Sequence, residues 1–357
     1  MRQLALAFVA ICSAVPALAT DFNPSLEGMI SNYIRPVTTD FAAAVDPLPQ
    51  AVSDVCRDRS DATSAAFSDA YSQSVAAFSR VHFLRFGPLL DDDRLSRLAF
   101  MPDPRGVGQR QLRKLYASRD PGVLSAETLK NKSVAVQGLT ALQLIAFKKD
   151  GAVSLGLPGE TKEFTCGYAQ AIAENVERIA FELSADWADP QGYSSVLLET
   201  GGEGTRFRSS KEALETIFNS LVTGLIIASD QDLLPALGSS QAKAKAKRFP
   251  FSRSGNSIVF LSGELHGIQD AISALALRAL TPEEFTWIYD ALAFEFENAQ
   301  ALLEKLQSPL RATFGEGDSY AQVTVLAITI KSIRDTLALE LAGALELAGG
   351  FNALDGD

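Results

Sequence analysis

Apolar residues recur along this chain at intervals of three and four. Ile172, Val176, Ile179 and Leu183 keep that spacing, and Val323, Leu326, Ile330, Ile333, Leu337, Leu341 and Leu345 sustain it through the C-terminal segment. The period is that of a helix with one buried face. Further helices are predicted at about 24–46, 60–85, 127–149, 210–234, 255–280 and 283–307. The last has a legible start, because Thr281 can cap it, Pro282 suits the first turn and Glu284 stands where a capping box needs it. Strand-type alternation is nearly absent. The expected class is all-α, with two packed helical domains resembling four-helix bundles. The polar, glycine-rich stretch Gly192–Arg208 is the natural boundary, which divides the chain into a leader at 1–19, an N-terminal bundle at 20–200 and a C-terminal bundle at 201–357. A second break, Gly87–Ala126, is rich in proline and charge and reads as a structured excursion over the first bundle.

The first residues follow a different pattern. Arg2 precedes an apolar run from Leu4 to Val15, closed by Pro16 and Ala17-Leu18-Ala19. Charge, short apolar run and small-residue cleavage site are the parts of a secretion signal. A retained anchor would need about 20 apolar residues, and acylation of Cys12 would need a small residue where Ile11 stands. Every later apolar stretch is interrupted by charges at helical spacing, so no membrane span is expected. The expectation is an exported protein delivered by a cleavable signal peptide.

Composition agrees with that destination. Asp and Glu number 43 against 32 Lys and Arg, a net charge of −11, which disfavours nucleic acid and anionic membranes as partners. The one dense basic run, Lys243, Lys245, Lys247 and Arg248, has no aromatic residue beside it to stack a base and reads as a solvated loop. Two cysteines follow the leader, Cys56 and Cys166. In an oxidising compartment they are expected to form one disulfide, closing a loop of about 110 residues; two separate buried thiols are the alternative.

Candidate chemistry is sparse. His82 shares a helix face with Val75 and Phe78, and Arg85 follows one turn later. A histidine hydrogen-bonded within the core and a pocket residue that presents donors to an anion with Arg85 are both open readings. His266 continues a strip formed by Ser262, Gln269 and Ser273, which either faces solvent or lines an interdomain pocket. Asp103 and Arg105, held between prolines, either staple their loop or shape a binding site. In the tail, Asn352, Asp355 and Asp357 offer oxygen atoms, although without the spacing of a calcium loop. No His-Glu-x-x-His, Gly-x-Ser-x-Gly or phosphate-binding glycine loop occurs, so no metal ligand set and no nucleophile is assigned.

Several segments together are more specific. Arg85-Phe86-Gly87-Pro88, Phe100-Met101-Pro102-Asp103-Pro104-Arg105, Val136-Gln137-Gly138-Leu139-Thr140-Ala141-Leu142-Gln143, Arg253-Ser254-Gly255 and the tail from Gly350 to Asp357 resemble the imelysin family, in its iron-regulated, imelysin-like periplasmic branch. The resemblance spans roughly 24–357. It implies two helical domains in an exported periplasmic protein associated with bacterial iron or haem uptake; the ligand is left open between an iron species or another divalent metal, a small anion and a partner protein. The family's metallopeptidase label depends on a Gly-x-His-x-x-Glu motif, whose positions here hold Gly138, Thr140 and Gln143. Threonine is an unusual ligand and glutamine cannot act as a carboxylate base, so the motif is degenerate. By analogy a bowl between the domains would be lined by Arg85, Asp103, Arg105, Gln143 and Asn352. The expected function is a non-catalytic binding or accessory component of iron or haem uptake, acting with an iron-uptake or envelope protein. A metal-dependent peptidase and a structural envelope protein are the alternatives, and the oligomeric state is left open.

Overall fold

A computed structural model describes residues 20–348. Residues 1–19, expected to form the leader, and residues 349–357, with Asn352, lie outside the described residues. Ten longer helices carry the fold: α1 (residues 23–45), α2 (Pro47–Arg57), α3 (Asp61–Val81), α4 (Val107–Ser118), α5 (Gly138–Ala146), α6 (Lys162–Ala188), α7 (Ser210–Leu237), α8 (Ser257–Ala274), α9 (Trp287–Glu304) and α10 (residues 319–344). Among the described residues there is no β-strand, only a bridge between Phe147 and Val153.

Three of these helices contain a wide π turn: Ile30–Ile34 in α1, Ile227–Leu233 in α7 and Thr336–Leu341 in α10. The first two stand just before Pro36 and Pro235. Proline inside a helix removes a donor and collides with the carbonyl four residues back. A π turn at that point opens the ladder and lets the helix continue.

Helices α1, α2, α3 and α6 pack on one another, as do α8 with α9, α9 with α10, and α7 with α10. An extensive pairing joins α3 to α8, and one hydrophobic core runs from Phe22 to Leu347. Two glycines allow this approach. A Cβ on Gly263 would lie 2.0 Å from Ser79 Oγ, and one on Gly267 would lie 2.7 Å from the Tyr33 hydroxyl and 3.1 Å from Arg80 Cα. The Tyr33 hydroxyl donates to the Arg80 carbonyl at 2.7 Å, tying α1 into the same seam. Helix α7 is long and apolar enough by composition to cross a membrane, but 72% of its most apolar window is buried inside the protein.

The cysteines form the expected disulfide, with Cys56 and Cys166 joined across α2 and α6 at a Cα separation of 5.8 Å. Two local expectations are corrected. The helix expected at 127–149 is broken into Ala126–Leu129, a 3-10 turn at Val134–Val136, and α5. Gly138 causes the last break: its φ is +63°, and a Cβ there would come within 2.2 Å of the carbonyls of Arg97 and Leu98. Thr281 does not cap the next helix, which begins at Trp287. Its hydroxyl instead donates to the Leu277 carbonyl at 3.0 Å and lies 2.8 Å from the Tyr289 hydroxyl, closing the preceding turn. The glycine-rich stretch after α6 holds a helix, Tyr193–Leu198, whose first ring stacks near Trp187 at 5.7 Å and Phe86 at 6.3 Å. The excursion after α3 is packed as expected, through buried Pro88, Leu89, Leu95, Leu98 and Leu112.

Two pairs of substitutions test this account. Gly263→Val should lower stability by about 3 kcal/mol or more, because side chain would be forced into a seam with no room. Gly343→Ala, at an exposed helical position with nothing within 4 Å, should raise stability by up to about 1 kcal/mol; urea midpoints read both signs. Replacing Cys56 and Cys166 by serine should cost on the order of 4 kcal/mol. The same denaturation series with and without reductant should show reductant sensitivity in the parent protein alone.

Candidate functional site

The seam between α3 and α8 carries a group of polar side chains in the core. His82 follows the last turn of α3 and is 1% exposed. Its ring meets Phe78 and Phe260 edge-on, each at 5.5 Å. From α8, Glu264 reaches His82 Nδ1 with Oε1 at 3.3 Å, and Glu264 is itself fully buried. Arg85 lies on the other side, with Nη2 at 3.2 Å from His82 Nε2. A guanidinium can only donate. Nε2 therefore accepts, the imidazole proton sits on Nδ1, and Nδ1 donates to Glu264 Oε1. The result is a relay in one direction, from Arg85 through His82 to Glu264.

Asp232 completes the group from the π turn of α7 and is 3% exposed. Arg85 interacts electrostatically with both Glu264 and Asp232. The backbone of Arg85 is fixed by its N–H, which donates to Ser220 Oγ of α7 at 3.1 Å. Helices α3, α7 and α8 thus converge on one partly buried cation. Three polar atoms of the group, Arg85 Nε, Glu264 Oε2 and Asp232 Oδ2, make no hydrogen bond within the described residues.

Burial sets the protonation. It pushes the Glu264 carboxyl up to about 8 against the pull of Arg85. Asp232 is raised well above the usual carboxylate range by burial and then by the charge of Glu264. His82 is held well below its ordinary value by burial and then by Arg85, and so is neutral. Both carboxyls are thereby shifted toward their protonated forms. The two acids titrate as a coupled pair. This arrangement can hold and pass a proton, or accept a small polar guest at its unsatisfied atoms.

The other expected site residues are dispersed. His266 stands two residues beyond Glu264 on the outer face of α8, exposed and 3.3 Å from Ser262 Oγ. Asp103 uses both oxygens on the start of α4, accepting from Val107 N at 2.7 Å and Gly108 N at 2.9 Å. Arg105 is exposed and its carbonyl accepts from Arg110. Thr140 Oγ1 accepts from the Phe100 N–H at 3.0 Å, fastening the Phe100–Arg105 loop to α5. Gln143 is buried, and its Oε1 has no hydrogen-bond partner. Among the described residues no three His, Cys, Asp or Glu side chains stand close enough to share a metal ion.

Sequence reasoning missed Glu264 and Asp232. Glu264 carried a signal: it lies three residues after Leu261 and four before Ile268, on the apolar face of α8. Asp232 was harder to find, because the π turn shifts the helical register at that point.

The fold and this group define an all-helical protein with a guanidinium, an imidazole and two carboxyls enclosed where three helices meet. The chain belongs to the imelysin family, peptidase family M75, whose profile matches residues 31–337. Among solved structures it is similar to an imelysin-like protein from Psychrobacter arcticum 273-4, with a TM-score of 0.77 at 21% identity, covering 95% of this chain and 99% of that one. It is also similar to a protein from Parabacteroides distasonis ATCC 8503 described as an iron-regulated protein A precursor, with a TM-score of 0.70 at 12% identity, covering 91% of this chain and 96% of the other. Among curated proteins nothing matches.

Glu264 provides a pH test. Its ordinary value is 4.5 and its folded value about 8. Folding therefore takes up a proton between those values, and the contribution to stability falls as pH rises through that window. Glu264→Gln retains an oxygen for the His82 N–H and cannot ionise. Unfolding free energies of parent and variant, compared from pH 4.5 to about 8, should diverge in favour of the variant as pH rises. Parallel curves would contradict the buried, protonated acid.

Proposed function

We propose that this protein is an exported, non-catalytic binding or accessory component of bacterial iron or haem uptake, in the iron-regulated periplasmic branch of the imelysin family. Family membership supports the general role, and the iron-regulated description of one structural neighbour supports the iron connection. The disulfide suits an oxidising compartment. In this reading the chain is organised as two helical bundles that divide near residue 200, with the Arg85, His82, Glu264 and Asp232 group between them.

The observation that carries the non-catalytic reading is the state of the degenerate motif. Thr140 Oγ1 is engaged by the Phe100 N–H at 3.0 Å, and Gln143 has no carboxylate with which to activate water. Any iron or other divalent ion in this proposal is cargo.

Deletion of the gene in its host should slow uptake of radiolabelled iron under iron limitation. The parent chain should restore uptake, and Arg85→Met should not, provided that both accumulate equally. Unchanged uptake after deletion would overturn the accessory role. Metal-dependent cleavage of an unfolded protein substrate by the purified parent chain would instead favour the peptidase.

A further inference from the structure

An open cleft of about 690 Å³ lies away from the buried relay, between α4, α5, the loop that follows α5, and the start of α6. Its floor is apolar, formed by Leu112, Leu144, Ile145 and Leu157. Its rim is cationic, formed by Arg113, Lys149, Lys162 and Arg253, and no carboxylate lines it. In a chain with 43 acidic and 32 basic residues, four cations around one apolar floor are against the prevailing charge.

Two nearby acids are engaged elsewhere. Glu160 pairs with Arg119 at 2.9 Å, and Asp150 accepts from the Ala152 N–H at 3.1 Å. None of the four rim cations makes an ion pair among the described residues. Arg253 is anchored through Nε, which donates to the Phe147 carbonyl at 2.9 Å. Its terminal nitrogens are left without an ion pair, and Arg311 adds a like charge nearby.

We propose that this cleft binds a small anionic amphiphile, a molecule with an apolar body and a carboxylate or phosphate head. The floor removes the body from water, and the unpaired rim cations receive the head through charge-assisted hydrogen bonds. The volume is that of a pocket for one small molecule. The inference is independent of iron binding and of the buried acids.

Calorimetric titration of the full mature chain with decanoate, with pyrenebutyrate and with decyltrimethylammonium tests it. Decanoate represents an acyl body and pyrenebutyrate a planar aromatic one; at least one of these anions should bind, and the cation should not. Replacing both Lys149 and Lys162 by glutamine should weaken binding about tenfold or more, with an unchanged melting temperature because Lys149 is exposed and Lys162 is only partly buried. Leu157→Asp, at an exposed floor position, should weaken it as well through the apolar body. The proposal falls if neither anion binds, if the cation binds equally well, or if the lysine variant binds like the parent.

Discussion

The close approach of α3 and α8 is the constraint on which the rest of the molecule depends. Gly263 and Gly267 occupy one face of α8, and neither position leaves room for a side chain. With those two residues pressed against α3, helical geometry directs Glu264 into the same interface. It has no route to water, and His82 is the partner it meets. The glycines that permit the packing are therefore also the reason a carboxyl is buried. A larger residue at either position would move α8 outward and disturb both the core and the relay.

Such a group is poorly explained as a source of stability. Buried charges lose hydration that their mutual attraction rarely restores in full, and three polar atoms here lack hydrogen bonds. An apolar set of the same volume would pack with less penalty. Arg85 is nevertheless fixed through its backbone to Ser220, and His82 is held between two phenylalanine rings. Side chains this closely positioned, with two coupled acids and shifted protonation, are the kind of arrangement that marks functional sites.

Much of the fold was legible because helix periodicity survives in a single sequence. The stripes of α6 and α10, the near absence of strands and the cysteine pair all followed from spacing and compartment. Errors occurred where tertiary contact overrode local chemistry. Thr281 carried a valid capping pattern, but its hydroxyl closes the preceding turn. Gly138 looked like a residue inside a continuous helix, whereas its positive φ and contact with the Arg97 and Leu98 carbonyls start a new one. At the site, His82 and Arg85 were visible as neighbours on one turn. Their acidic partners come from residues more than a hundred positions away, and no local pattern pairs them.

The degenerate motif connects these lessons. A histidine and a glutamate on α5 would offer donors to an ion, but Thr140 turns the first position into a fastener for the Phe100–Arg105 loop. Asp103, in that loop, caps α4 with both oxygens. The loop, α4 and α5 are thereby locked into one unit by short polar contacts. That unit presents Leu112 and Arg113 from α4, and Leu144 and Ile145 from α5, to the open cleft. Thr140 thus serves to fix the elements that form this wall. The chemistry has separated in space, with acids enclosed at the α3–α8 seam and uncompensated cations at the surface.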